Sequence, residues 1–242
     1  MEKQRIELID ALRASAIFPM IVQHLCYDLC AFCGAPWYVF RNPVCDGIHY
    51  YCGILFVLLA GVSSNFSRSN ILRGLKTLGA ALALTLVTTL VGEPVVFGVL
   101  HLLGSCMLLY GLAQTLSRRV PRREGRAAAE KAAPVLCAGG ILLTARFANG
   151  YPTTIPHLWI FGFVTPDFYS SDYFPLLPWI FVFLLGVWAG GIIRAGRFPR
   201  WFYEVKAPRL ALVGRHSLLI YLVHQPVLYG LVMLGRLIFI RE

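Results

Sequence analysis

What this 242-residue chain has little of is charge. Charged residues make up 14% and acidic residues number 12, against 57% hydrophobic residues. An ordinary soluble domain carries about a quarter charged residues, so that class is excluded. Other absences narrow the chemistry. The six histidines form no HExxH pattern and the acidic groups are scattered, so no metal site is expected. Gly61-Val-Ser63-Ser64-Asn65 is not a nucleophile elbow, and nothing else suggests a serine hydrolase. The chain shows no nucleic-acid-binding module and no internal repeat. The first apolar stretch bears internal charges and lacks a small-x-small cleavage pattern, which argues against a removable leader.

What it has are repeated apolar runs of about 20 residues, the length that crosses a bilayer as helix. The expected spans are 8–31, 48–66, 74–92, 98–117, 133–149, 175–194 and 212–235. The fold class is therefore all-α: one polytopic membrane bundle of about seven transmembrane helices over residues 1–242. Basic residues set the orientation. With a cytoplasmic N-terminus, 18 of the 22 Lys and Arg residues fall inside, among them Lys3, Arg118, Arg119, Arg122, Arg123 and Arg126. Arg41, Arg146, Arg236 and Arg241 fall outside, giving an N-in, C-out protein. The +10 net charge is then mostly loop bias. The Arg- and Ala-rich stretch Ser117–Ala133 reads as a cytoplasmic loop with a short helix. Gly150–Phe174 reads as an outer connection, with Ile155–Val164 re-entrant or interfacial and aromatics suited to the membrane boundary.

Seven cysteines leave at least one unpaired in a monomer. Cys30-Ala-Phe-Cys33 has redox-like spacing without a thioredoxin strand–helix context. Small apolar packing is the expectation for most, although a disulfide near the outer face is chemically open.

The first span carries the main clue. At about 100° per residue, Asp10, Arg13, His24 and Asp28 share a face about 60° wide along about 27 Å of helix. Ionisable groups at membrane depth are costly and face a protein interior or a watery cavity. His24 and Asp28, four residues apart, are the catalytic candidates: a carboxylate one turn away can orient an imidazole as general base. Asp10 and Arg13 sit at the cytoplasmic end, and Pro19 can kink the path between the pairs. Arg68, Asn70 and Arg73 cluster after the second span, where guanidinium groups suit a nucleotide diphosphate. His101 in the fourth span, and Tyr221 and His224 in the last, are second-tier pocket residues. Ser217 shares the face of Tyr221 and His224, and Pro226 follows.

These residues lie in stretches that resemble a known family. RIELIDALRASAIFPMIVQHLCYDL resembles the opening of membrane acyltransferases related to the catalytic region of heparan-α-glucosaminide N-acetyltransferase. The resemblance continues through FVLLAGVSSNFSRSNILRGLKTLGAALALTLVT, FGVLHLLGSCMLL, DYFPLLPWIFVFLLG and GRHSLLIYLVHQPVL, in order over nearly the whole chain. It implies acetyl-CoA or another acyl-CoA as cytosolic co-substrate and an extracytoplasmic glycan or similar acceptor. It also implies a compact bacterial relative in the cytoplasmic membrane. Arg13 and His24 match the Arg and His of the wider group's first helix, and Arg68 and Arg73 match its basic stretch. Ala14 stands where Gly is usual. The resemblance implies donor contacts from Arg13, Arg68 and Arg73, and the residues themselves add Asp10, Asn70, His101, Tyr221 and His224 as candidate donor contacts. The residues alone leave a transporter or channel for a small anion or lipid-linked sugar open, and equally a homo-oligomer.

Overall fold

The computed structural model describes residues 5–117 and 126–239. Lys3, Arg118, Arg119, Arg122, Arg123 and Arg241 lie outside them. The described chain is almost wholly helical: α1 (Glu7–Phe32), α2 (Pro43–Ser64), α3 (Asn70–Leu90), α4 (Val99–Ser117), α5 (Arg126–Thr144), α6 (Leu176–Arg194), α7 (Arg200–Glu204), α8 (Pro208–Arg215) and α9 (Ser217–Phe239). Sheet among the described residues is a parallel pairing of Tyr151–Pro152 with Phe163–Val164 and one isolated bridge, Phe97 with Tyr173. Six helices, α1, α2, α3, α4, α6 and α9, are long and apolar enough to cross a membrane. The seventh expected span falls on α5, whose first turns carry Arg126, Glu130 and Lys131 before an apolar second half.

Helix boundaries follow local chemistry. The Ser69 hydroxyl accepts the Leu72 N–H and caps α3. Pro208 occupies the first turn of α8, where its missing N–H costs nothing. The start of α4 is capped from far along the chain, by the Asp172 carboxylate accepting the Val99 N–H. Pro19 does not end α1, which runs 26 residues through it.

The chain divides into two compact units. One comprises Met1–Phe56 and Phe198–Glu242, the other Val57–Arg197. In the first, α1 is the hub. The start of α2 packs antiparallel to it: Gln23 donates to the Cys45 carbonyl, and further along α2 the Cys52 thiol donates to the Ala16 carbonyl. α8 and α9 instead run parallel to α1. Gly214 seats against the backbone of Asp10, so closely that a Cβ there would overlap the Asp10 carbonyl oxygen. His24 meets His224, and Phe32 meets Tyr229 one to two turns further on.

The second unit is built on close glycine contacts, as membrane helices with little hydrophobic driving force between them require. α3 and α4 are antiparallel, with Gly74 against Leu108, Gly104 against Leu78 and Gly111 against Ile71. The end of α2 runs parallel to α6: Gly186 faces Leu58, Gly61 faces Phe183 and Val187, and Gly190 faces Val62. Asn65 fastens this pair by donating to the Val187 carbonyl (2.8 Å), and Arg194 donates to the Asn65 carbonyl (2.8 Å). α5 lies antiparallel to α6, with Gly140 under the Phe181 ring and the Trp188 indole donating to the Glu130 carbonyl.

The 150–174 connection forms a compact aromatic knot, with a short 3-10 turn at Trp159–Phe161 in place of a re-entrant helix. The Ser171 and Phe174 N–H groups bond to the Pro94 and Phe97 carbonyls. The Tyr173 hydroxyl donates to the Trp159 carbonyl, and burial pushes its pKa up to about 12. Arg146 lies over the rings of Phe147 and Tyr151, and Arg41 over Trp37. All seven cysteines are free. A redox pairing of Cys30 with Cys33 is not formed: the Cys30 thiol donates to the Pro36 carbonyl.

The glycine contacts give a direct test. Gly61→Ala and Gly186→Ala should each lower the thermal stability of the purified protein by roughly 1–3 kcal/mol, the usual cost of overpacking. Gly139→Ala should be neutral, because nothing lies within 4 Å of its would-be Cβ.

Candidate functional site

The polar stripe of α1 is present, and each of its ends faces the C-terminal helices of the same unit. At the N-terminal end Asp10 is 2% exposed. A carboxylate so buried needs donors, and it takes them from two guanidinium groups, with a third as a longer ion pair. Arg5 binds side-on through Nε (2.6 Å) and Nη2 (3.2 Å), Arg13 gives Nη1 (2.5 Å), and Arg215 stands with Nε at 3.8 Å. Nearby Glu7 is spent elsewhere, accepting the Ala207 N–H and facing Lys206.

At the other end, His24 is half-buried and its Nδ1 lies 2.8 Å from the Met20 carbonyl. A carbonyl only accepts, so Nδ1 carries the hydrogen and Nε2 keeps its lone pair. The expected pairing of His24 with Asp28 is replaced by this bond. Asp28 sits one turn on, fully buried, and its Oδ1 accepts instead from Gln225 Nε2 at 2.8 Å. The reason is geometric: within a helix the carbonyl four residues back is always in reach of a His side chain, whereas Asp28 is turned toward α9.

From α9, His224 brings its ring within 4.9 Å of the His24 ring, edge to face. Its Nδ1 donates to the Tyr221 carbonyl (2.6 Å), which again leaves Nε2 as acceptor. Tyr221 packs against the small core of Ala16, Met20 and Cys52. Pro226 lacks an N–H for the Leu222 carbonyl, but α9 continues through it. Three buried polar atoms of this cluster have no hydrogen-bond partner: Asp28 Oδ2, His224 Nε2 and Gln225 Oε1. All three are acceptors. With His24 Nε2 they make a group of lone pairs without a donor.

The remaining candidates belong to the second unit. Arg68 is exposed and Arg73 half-buried at the start of α3. Asn70 turns inward, donating to the Ser64 carbonyl and to Gln114 Oε1 (both 3.0 Å). It therefore braces the ends of α2, α3 and α4 behind the two arginines. His101 is buried; because the Thr85 hydroxyl donates to the Val95 carbonyl, His101 Nε2 must donate to Thr85. Its Nδ1 is left without a partner. Among the described residues no group of three or more His, Cys, Asp or Glu is placed to hold a metal ion.

Sequence reasoning missed Gln225, Arg5 and Arg215. Gln225 adjoins His224, but its partner lies 197 positions away. Arg5 and Arg215 looked like ordinary positive-inside residues.

A family model described as "Heparan-alpha-glucosaminide N-acetyltransferase, catalytic" matches residues 5–226. No curated protein and no solved structure matches the chain.

The Asp28–Gln225 bond predicts strong coupling. Gln225→Leu should destabilise the protein by about 2 kcal/mol, because it strips a buried carboxylate of its donor. In a double-mutant cycle read by thermal unfolding, Asp28→Asn should recover most of that loss.

Proposed function

As the chain belongs to the heparan-alpha-glucosaminide N-acetyltransferase catalytic family, we propose that it moves an acetyl group from cytosolic acetyl-CoA to an amine or hydroxyl of an extracytoplasmic glycan or similar acceptor. Its membership and its six apolar helices make it a multi-pass membrane protein of the acetyltransferase type. The finer reading rests on one observation. Every unsatisfied polar atom around His24 is a hydrogen-bond acceptor, so the group that fits there brings N–H or O–H donors.

In this reading the acceptor's nucleophilic atom donates its hydrogen to His24 Nε2 as it attacks the acetyl carbonyl carbon. The C–S bond breaks, the CoA sulfur leaves with the electron pair, and the proton held by His24 balances the thiolate. Asp28, held by Gln225, places a carboxyl group one turn away, which in its ionised form favours the imidazolium as it forms. Transfer is direct, without an acyl-enzyme. Arg13, at the opposite end of α1 from His24, meets the donor's phosphates from the cytoplasmic side.

The helix directions support a seven-span arrangement, and the positive-inside bias of the basic residues supports its N-in, C-out orientation in a bacterial cytoplasmic membrane. Spans that run parallel must be separated by an odd number of crossings. α2 and α6 are parallel, and so are α1 and α9. Both relations hold when α5 crosses as well, and both fail when it does not. The apolar half of α5, continued by the 3-10 turn at Ala145–Phe147, supplies that crossing.

His24→Ala should lower transfer from labelled acetyl-CoA by about 10²–10⁴-fold, the range expected for loss of a general base. Wild-type turnover in that variant would overturn the assignment. A reporter fused after Glu242 should be accessible only from the extracytoplasmic side; cytoplasmic labelling would exclude the seven-span topology.

A further inference from the structure

Four of the seven cysteines gather where α1 ends and α2 begins: Cys26 and Cys30 on α1, Cys33 just past it, and Cys45 in the first turn of α2. The proposed chemistry uses none of them. The structure sorts them into two kinds. The Cys30 thiol is turned to the Pro36 carbonyl (3.4 Å), away from Cys33. Cys26 instead faces α2, where its thiol and that of Cys45 are hydrogen-bonding neighbours.

The backbone holds this meeting in place independently of the sulfurs. The Cys45 carbonyl accepts from Gln23 (3.3 Å), which lies three residues before Cys26 and therefore on the same side of α1. The Asn42 carboxamide oxygen accepts the Val44 and Cys45 N–H groups (both 3.0 Å), which fixes the start of α2. The two thiols differ in access. Cys45 is 6% exposed and Cys26 is half-buried, so an incoming oxidant reaches Cys26 first and Cys45 waits behind it. A bond between them would close residues 27–44 into a loop. It would also tie α2 to α1 two residues beyond His24.

We propose that Cys26 and Cys45 are a redox-sensitive pair that forms a disulfide between α1 and the start of α2. The Cys26 thiolate attacks an external disulfide, and one of its sulfurs leaves as a thiol. The Cys45 thiolate then attacks Cys26 in the mixed disulfide and displaces the second thiol. The protein loses two protons and two electrons, and the external disulfide gains them. Formation in the cell rests on the N-in orientation proposed above, which puts this end of α1 in the compartment where disulfides persist.

The full-length protein is tested in two settings. Purified in detergent, it is treated with oxidised glutathione, denatured and alkylated. Alkylatable thiols should fall from seven to five, and peptide mapping should join Cys26 to Cys45. C26S and C45S should each abolish that linked peptide, whereas C30S and C33S should keep it. Membranes quenched with N-ethylmaleimide before extraction should yield the same linked peptide, lost on reduction. A purified protein that keeps Cys26 and Cys45 alkylatable would overturn the pair, as would a bond mapped to Cys30 or Cys33 in its place. Linkage in detergent but not in quenched membranes would leave the pair standing and overturn its formation in the cell.

Discussion

Two buried carboxylates on α1 govern the first unit. Asp10 and Asp28 lie about 27 Å apart along one helix at 1.5 Å per residue. Neither can be left ionised in a low-dielectric interior without donors. Asp10 takes three arginines and Asp28 takes Gln225. Arg215 and Gln225 come from the last tenth or so of the chain and fall ten residues apart, so α8 and α9 must lie along α1 in the same direction. The need to satisfy two carboxylates thus joins the chain's first and last helices and brings the two histidines ring to ring.

The second unit uses a different device. Its helices approach through glycine, with backbone against backbone, because packing rather than water exclusion holds helices together in lipid. Its polar residues mostly serve that packing. Asn65 and Asn70 tie helix ends, Thr85 links His101 to the Val95 carbonyl, and Asp172 caps α4. The unsatisfied acceptors that suggest chemistry gather in the first unit, around His24; in the second, His101 Nδ1 and Asn70 Oδ1 are isolated.

Much of the site was legible in the sequence as a face. Period and hydropathy put Asp10, Arg13, His24 and Asp28 on one side of one helix, and the structure turns that side to α8 and α9. What could not be read was who binds whom. The local rule paired His24 with Asp28, whereas each found a better partner, a carbonyl one turn back and an amide 197 residues on. Asn70 looked like a ligand residue beside two arginines, yet its amide completes a helix junction. Arg5 and Arg215 carried no distinguishing signal, since positive-inside bias places arginines at such positions for orientation alone.

The sequence by itself determined the class: apolar run length makes membrane helices, and the costly charges in the first of them mark where function concentrates. Helix geometry is local, so a 3.6-residue period needs no tertiary knowledge. Only the tertiary structure decided the parallel course of α1 and α9, the tautomers of His24 and His224, and the gathering of Arg5, Arg13 and Arg215 at Asp10. Those depend on contacts between residues some 200 positions apart, and no periodicity along a chain encodes which distant donor a buried acceptor will meet.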